Sequence, residues 1–190
     1  LTSDLNSRIV FNPANRQELL LTGAKKVSFW NWENYKLEGY HGKVSQSDFG
    51  HFSGKLTQSC FFGDEGAAMT VTDEGYVILW ETRFATVLLD APGPKRTKSA
   101  SKVVHLVQSG ITMLEALNGY MVLGCADGSV RFYDHTLRIE AWFEDFAAGP
   151  VTSLSFSEQL CPYAEGEGGA PGLHFWVPDF MIGTSDAFIV

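Results

Sequence analysis

The 190-residue sequence has little cysteine, a deficit of positive charge and no long apolar run. Its three cysteines, Cys60, Cys125 and Cys161, are too few and too scattered for a disulfide framework or a zinc cluster. Each has apolar or strand-like neighbours, which predicts reduced, partly buried thiols and a reducing compartment such as the cytosol. Fourteen Lys and Arg against 22 Asp and Glu give a net charge of −8, so the broad basic face that holds phosphates is missing and no nucleic-acid binding is expected. No apolar stretch approaches the ~20 residues that span a bilayer. Leu1-Thr2-Ser3-Asp4-Leu5-Asn6 also lacks the basic and apolar segments of a signal peptide, so no membrane association is expected. The chain opens without Met and its end, Phe188-Ile189-Val190, reads as mid-strand, so a fragment of a longer protein is expected.

What is present is turn chemistry. Nineteen Gly and 13% aromatics, without Ala- or Leu-rich runs, predict many short strands. The best-defined unit is the stretch 119–134, in which Asp127-Gly128 is a tight turn between Tyr120-Met121-Val122 and Val130-Arg131-Phe132-Tyr133. A lone hairpin is marginal in water, but this one recurs. Tyr76-Val77-Ile78-Leu79-Trp80-Glu81 after Asp73-Glu74-Gly75 has the same shape, and Val27-Ser28-Phe29-Trp30 is a third example. Phe11 to Trp30 and Phe61 to Trp80 are both nineteen residues apart. The closing aromatics Trp30, Trp80 and Tyr133 recur at about fifty residues, somewhat more than the 40–45 of a WD repeat. The expectation is an all-β chain: an incomplete β-propeller of about three and a half four-stranded blades, near 6–40, 50–107, 110–146 and 150–190. Two insertions interrupt the rhythm. One is the basic Pro/Gly/Ser loop 91–102, followed by an outer strand over 103–107; the other is the Gly- and Glu-rich loop at 158–172.

Chemical motifs are scarce. The five histidines, His41, His51, His105, His135 and His174, show neither His-x-x-x-His nor His-Glu-x-x-His spacing, so structural or exposed roles are expected and no metal. No Gly-x-Ser-x-Gly elbow occurs, and Ser53 reads as a turn serine. Gly166-Glu167-Gly168-Gly169 lacks the Lys-Ser/Thr ending of a phosphate loop, and Glu167 would repel phosphate. No catalysis and no cofactor are therefore expected. Two features are candidate protein-binding sites. The basic cluster Lys95, Arg96, Lys98 and Lys102 reverses the sign of an acidic chain and suits an acidic partner surface. The aromatics Trp142 and Phe143, with Phe146 nearby, fit either packing or an interface.

The pattern Gly-His … Asp-Gly-x-Val-x-Phe-Trp/Tyr-Asp resembles WD-repeat proteins, with the better matches at 125–134 and 75–81. In such blades the turn acid joins a network of His, Ser/Thr and Trp. The resemblance therefore implies blade-pinning roles for His51, Trp30, Trp80, Asp127, Tyr133 and Asp186, although no single blade carries the whole network. Lys102-Val103-Val104-His105-Leu106, Val151-Thr152-Ser153-Leu154-Ser155-Phe156 and Phe180-Met181-Ile182-Gly183-Thr184, with Phe11-Asn12-Pro13, carry a narrower likeness. They are similar to the WD-repeat cilia- and flagella-associated family of the calmodulin- and spoke-associated complex. That resemblance implies a scaffold of the ciliary or flagellar axoneme at the base of a radial spoke. Its partners would be other axonemal proteins of that base and complex, and tubulin or doublet-microtubule proteins. It also implies an EF-hand region beyond two propellers, whose loop pattern is not found in these residues. The alternative is a WD-repeat adaptor of a trafficking, ubiquitin-ligase or chromatin complex.

Overall fold

A computed structural model of the chain describes residues 4, 6–45, 50, 52–62, 66–84, 96–144, 146–157 and 177–186. These residues form strands and turns, with no helix among them. The first sheet contains β1 (Asn6–Phe11), β2 (Glu18–Gly23), β3 (Val27–Glu33) and β4 (Lys36–His41). The second contains β5 (Leu56–Phe61), β6 (Ala68–Thr72), β7 (Tyr76–Phe84) and β8 (Arg96–His105). The third contains β9 (Ile111–Leu117), β10 (Tyr120–Cys125), β11 (Val130–Tyr133) and β12 (Ile139–Phe143). A fourth sheet pairs β13 (Val151–Phe156) with β14 (Phe180–Thr184). Each sheet is an antiparallel meander in which every strand pairs with its neighbour in sequence. The all-β expectation and the recurring hairpin hold.

The turns follow local chemistry. Gly75 and Gly128 both take φ near +84°, the left-handed region that an L side chain rarely enters. Each also lies against the backbone that leads into the next sheet. A Cβ on Gly75 would collide with the Val107 carbonyl, and one on Gly128 would lie 2.9 Å from the Gly149 carbonyl. After β1, Asn12 stops the strand and folds the chain back, its Oδ1 accepting the Ala14 amide at 2.9 Å.

The largest departure from the sequence reading is β8. Residues 96–102 are not part of a solvated loop; they belong to a ten-residue strand paired along β7, with Leu79 opposite Lys102 and Thr82 opposite Lys98. In the polar stretch Thr97-Lys98-Ser99-Ala100-Ser101 only Thr97 is β-branched, and pairing along β7 supplies the hydrogen bonds that hold it extended. Residues 85–95, which include the start of the basic loop, and the segment 158–176 lie outside the described residues, as do residues 187–190 at the end of the last strand read from the sequence.

Three apolar joints bind the sheets in chain order, each between the face of one sheet and the facing side of the next. Leu20, Val27 and Phe29 of the first sheet meet Leu56, Phe61, Ile78 and Trp80 of the second. Cys60, Met69, Val71 and Val77 of the second meet Ile111, Leu114, Met121, Leu123 and Tyr133 of the third. Met113, Val122, Val130 and Phe132 of the third meet Val151, Ile182, Phe156 and Phe180 of the fourth. Full burial of each large apolar side chain stabilises by about 1.5–3 kcal/mol, so the fold is held mainly between sheets.

Candidate functional site

The inner edges of the sheets carry a repeated polar device. β1, β5, β9 and β13 each break register at their second residue, namely Ser7, Thr57, Thr112 and Thr152. A bulge re-aims the side chain it carries. Thr57 Oγ1 donates to the Ile111 carbonyl at 2.8 Å, and Thr112 Oγ1 donates to the Val151 carbonyl at 2.5 Å. Each hydroxyl thus ties its own sheet to the first residue of the next inner strand.

Arg8 reaches further. Its Nη1 donates to Gln58 Oε1 on β5 and, at 3.1 Å, to the Leu114 carbonyl on β9, while Nη2 lies 2.7 Å from Glu115 Oε1. Sheets stacked as flat layers about 10 Å apart would put the first and third some 20 Å from each other, far beyond one arginine. The inner edges therefore converge and the sheets fan outward from them.

The residues expected to pin blades fall into three groups. Trp80 is buried in the first joint, and its Nε1 donates to Thr70 Oγ1 at 2.8 Å, which lies 2.7 Å from Ser59 Oγ. Tyr133 is buried in the second joint, where burial pushes its phenol pKa up. Trp30 has the same place in its sheet, yet among the described residues no sheet stands in front of its face. Leu21 stands where Thr70 does, which leaves the Trp30 indole nitrogen buried without a partner.

Asp127 is a local turn pin. Its Oδ1 accepts from the Ser129 amide and hydroxyl at 3.0 and 2.6 Å, and its Oδ2 lies 3.2 Å from Arg131. Asp186, at the matching turn of the fourth sheet, is exposed and accepts from Ser185 Oγ at 3.2 Å. His51 lies outside the described residues.

Of the basic cluster, Lys95 lies outside the described residues and Arg96 is located only as the first residue of β8. Lys102 is exposed. Lys98 is not available to a partner: it is 1% exposed and points into the first joint. Its ammonium lies 3.1 Å from Glu18 Oε1 and 3.1 Å from Thr82 Oγ1, donates to the Gly66 carbonyl, and sits over the Phe29 and Phe61 rings at 5.3 and 5.8 Å. Asn12 Nδ2 holds the other Glu18 oxygen at 2.8 Å.

Trp142 and Phe143 point to opposite faces of β12 and part company. Phe143 packs in the third joint, 5.3 Å from Phe180 and 6.1 Å from Phe132, so it is a core residue. Trp142 is 52% exposed, stacked on the Arg131 guanidinium at 4.5 Å, and remains available. A second exposed aromatic surface went unread in the sequence. Trp32 and Tyr35 line a shallow depression with Arg16, Gln17 and Asn34. Tyr35 is almost fully exposed and holds φ 61°, a costly conformation for an aromatic residue.

Among the described residues no three His, Cys, Asp or Glu side chains gather as metal ligands. Burial pushes the thiol of Cys60 up to about 12 and that of Cys125 up to about 11, which keeps both protonated and poor nucleophiles.

These features define a β-repeat protein whose sheets are joined face to face and whose exposed aromatics suit protein contacts. Residues 2–190 match the CFAP251 N-terminal domain, and the chain belongs to that family of cilia- and flagella-associated proteins. It is 34% identical over 190 residues to cilia- and flagella-associated protein 251 of Chlamydomonas reinhardtii, covering 98% of this chain and 23% of that protein. It is 29% identical over 199 residues to the protein of the same name from Mus musculus, covering 95% of this chain and 15% of that one. The chain thus spans a quarter or less of the length of these relatives. The ciliary or flagellar setting expected from the sequence agrees with the family. Its fold is also similar to the crystal structure of the computationally designed Ika4 protein, with a TM-score of 0.57, 14% identity, and 100% and 91% of the two chains covered.

Proposed function

We propose that the chain is a non-catalytic part of an axonemal scaffold, folded as a segment of a WD-type β-propeller. In this reading it links the base of a radial spoke to neighbouring axonemal proteins and supports regulated motility. The family membership supports the axonemal half. The architectural half is supported by Arg8, whose contacts with the second and third sheets bring three inner strands together as blades around an axis would. Radiating blades bury their aromatics between sheets and leave their loops and outer edges for partners. Trp142 with Arg131, the Tyr35 tip and Lys102 are the surfaces offered to other members of the calmodulin- and spoke-associated complex, or to tubulin. Aromatics beside arginine are the residue types that dominate protein-interface energetics. The test is to tag the full-length protein in a flagellated cell. Retention in detergent-extracted axonemes, with spoke-base proteins recovered on cross-linking, is expected. A diffuse cytosolic signal would favour an adaptor of another complex and overturn the proposal.

A further inference from the structure

The first sheet has one face buried against the second sheet, and its other face is bare of any sheet among the described residues. Register matches the bare face, position by position, to a face that is buried one sheet later. Trp30 opposite Gly39 corresponds to Trp80 opposite Ala100. Trp32 opposite Leu37 corresponds to Thr82 opposite Lys98. Phe11 corresponds to Phe61, and Ile9 opposite Leu21 to Ser59 opposite Thr70. In the second sheet this face is sealed by the sheet before it, with Phe61 at 5% and Lys98 at 1% exposure. In the first sheet the matching Phe11 and Leu37 are 61% and 56% exposed. Ser28 and His41, the polar pair on the bare face, satisfy each other at 2.8 Å.

We propose that this face is a fourth joint, covered by another four-stranded antiparallel sheet from elsewhere in the longer protein. The proposal rests on the propeller reading and adds the chemistry of the missing neighbour. Lys98 crosses the first joint because Glu18 awaits it, whereas Leu37 stands in its place on the bare face. The covering sheet is therefore apolar there and has no acid at the position of Glu18. Its innermost strand brings a bulged Ser or Thr to the Asn6 carbonyl, as Thr57 and Thr112 do for Ile111 and Val151. A second copy of this chain is a poor occupant. The outward face of β13 and β14 presents Ser153, Ser155, Met181 and Gly183, too polar and too small to cover Phe11 and Trp32.

Hydroxyl-radical footprinting of the full-length protein reads this directly by comparing Phe11 with Phe61. Labelling of the two within about twofold of each other, unchanged on dilution, is expected; an open face would label Phe11 roughly tenfold faster, in the ratio of their exposures. That faster labelling overturns the proposal. So does protection that disappears on dilution, which assigns the face to a second copy, or protection that needs added axonemal proteins, which assigns it to a separate partner. Phe11→Asp lowers the thermal midpoint of the full-length protein whereas Tyr35→Asp leaves it in place; should Phe11→Asp fail to fold, Leu37→Ala is the milder form, and no shift in the variant that folds overturns the joint. Axonemal retention of the wild-type protein is read separately, so failure here leaves the ciliary reading intact.

Discussion

Replacing Lys98 with Met tests whether charge or bulk holds the first joint. Methionine keeps an unbranched apolar stem over Phe29 and Phe61 and removes only the ammonium. Glu18 then loses its ion partner in a site where it is mostly buried, and the Gly66 carbonyl loses a donor. Removing one member of a buried pair destabilises by about 3–5 kcal/mol, because the remaining charge is uncompensated. Asn12 still holds one Glu18 oxygen, and water reaches the edge of the carboxylate, so the lower end applies, about 3 kcal/mol. For a domain of this size each kcal/mol moves the thermal midpoint by about 2–4 °C, which predicts a fall of roughly 6–12 °C. The double variant Lys98→Met, Glu18→Leu leaves no uncompensated charge and is more stable than Lys98→Met, but stays below the wild type because the buried Asn12 amide and the Gly66 carbonyl lose their partners. Urea unfolding followed by circular dichroism and tryptophan fluorescence measures all four corners of the cycle. The reasoning fails if Lys98→Met costs less than about 0.5 kcal/mol, or if the double variant is no better than the single one.

Three further outcomes follow from the same contacts. Thr112→Val removes the hydroxyl bonds to Val151 and Gly124 without changing shape and lowers unfolding free energy by about 1–2 kcal/mol; an unchanged urea midpoint would deny the inner staple any weight. Cys60 and Cys125, held protonated by burial, resist iodoacetamide at neutral pH until denaturant is added; rapid labelling of the native protein, mapped by mass spectrometry, contradicts their placement. Desolvation raises the Asp134 carboxyl, but bonds from the Thr136 hydroxyl and from the Arg138 and Thr136 amides outweigh it and hold its pKa below 3.8. Its folded pKa is thus depressed, so its contribution is present above the unfolded value and is lost as pH falls through the folded one. Asp134→Asn should flatten the acid limb of the stability curve between about pH 5 and pH 2, and an unaltered limb would count against the turn geometry.

How much of this was legible in the sequence depended on whether a residue's role was local. The turns at Gly75 and Gly128, the strands beside them and the recurrence of Trp30, Trp80 and Tyr133 could be read because alternation and left-handed glycine leave marks within a few residues. The joints left no such marks. Lys98 sits in a polar, basic stretch and looks like surface, because the acid that buries it is 80 positions away on β2. Phe143 and Trp142 are adjacent aromatics with opposite roles, and only the register of β12 on β11, with Arg131 opposite Trp142, separates core from surface. One signal was available and passed over. Ser7, Thr57, Thr112 and Thr152 are all hydroxyl residues at the second position of an opening strand. A strand begun in this way four times needs a reason beyond β-propensity: each of these positions is a bulge, and at Thr57 and Thr112 its hydroxyl reaches the next sheet. The hydroxyl network on Trp80 shows the converse. Thr70 and Ser59 support Trp80, but Leu21 and Ile9 occupy those places beneath Trp30, and Leu123 and Leu114 beneath Tyr133. The repeat therefore preserves the position of the closing aromatic and not the chemistry around it. A motif that demands the two hydroxyls beside the aromatic finds one sheet of the three, while the joint it serves is built in two of them and left open in the first.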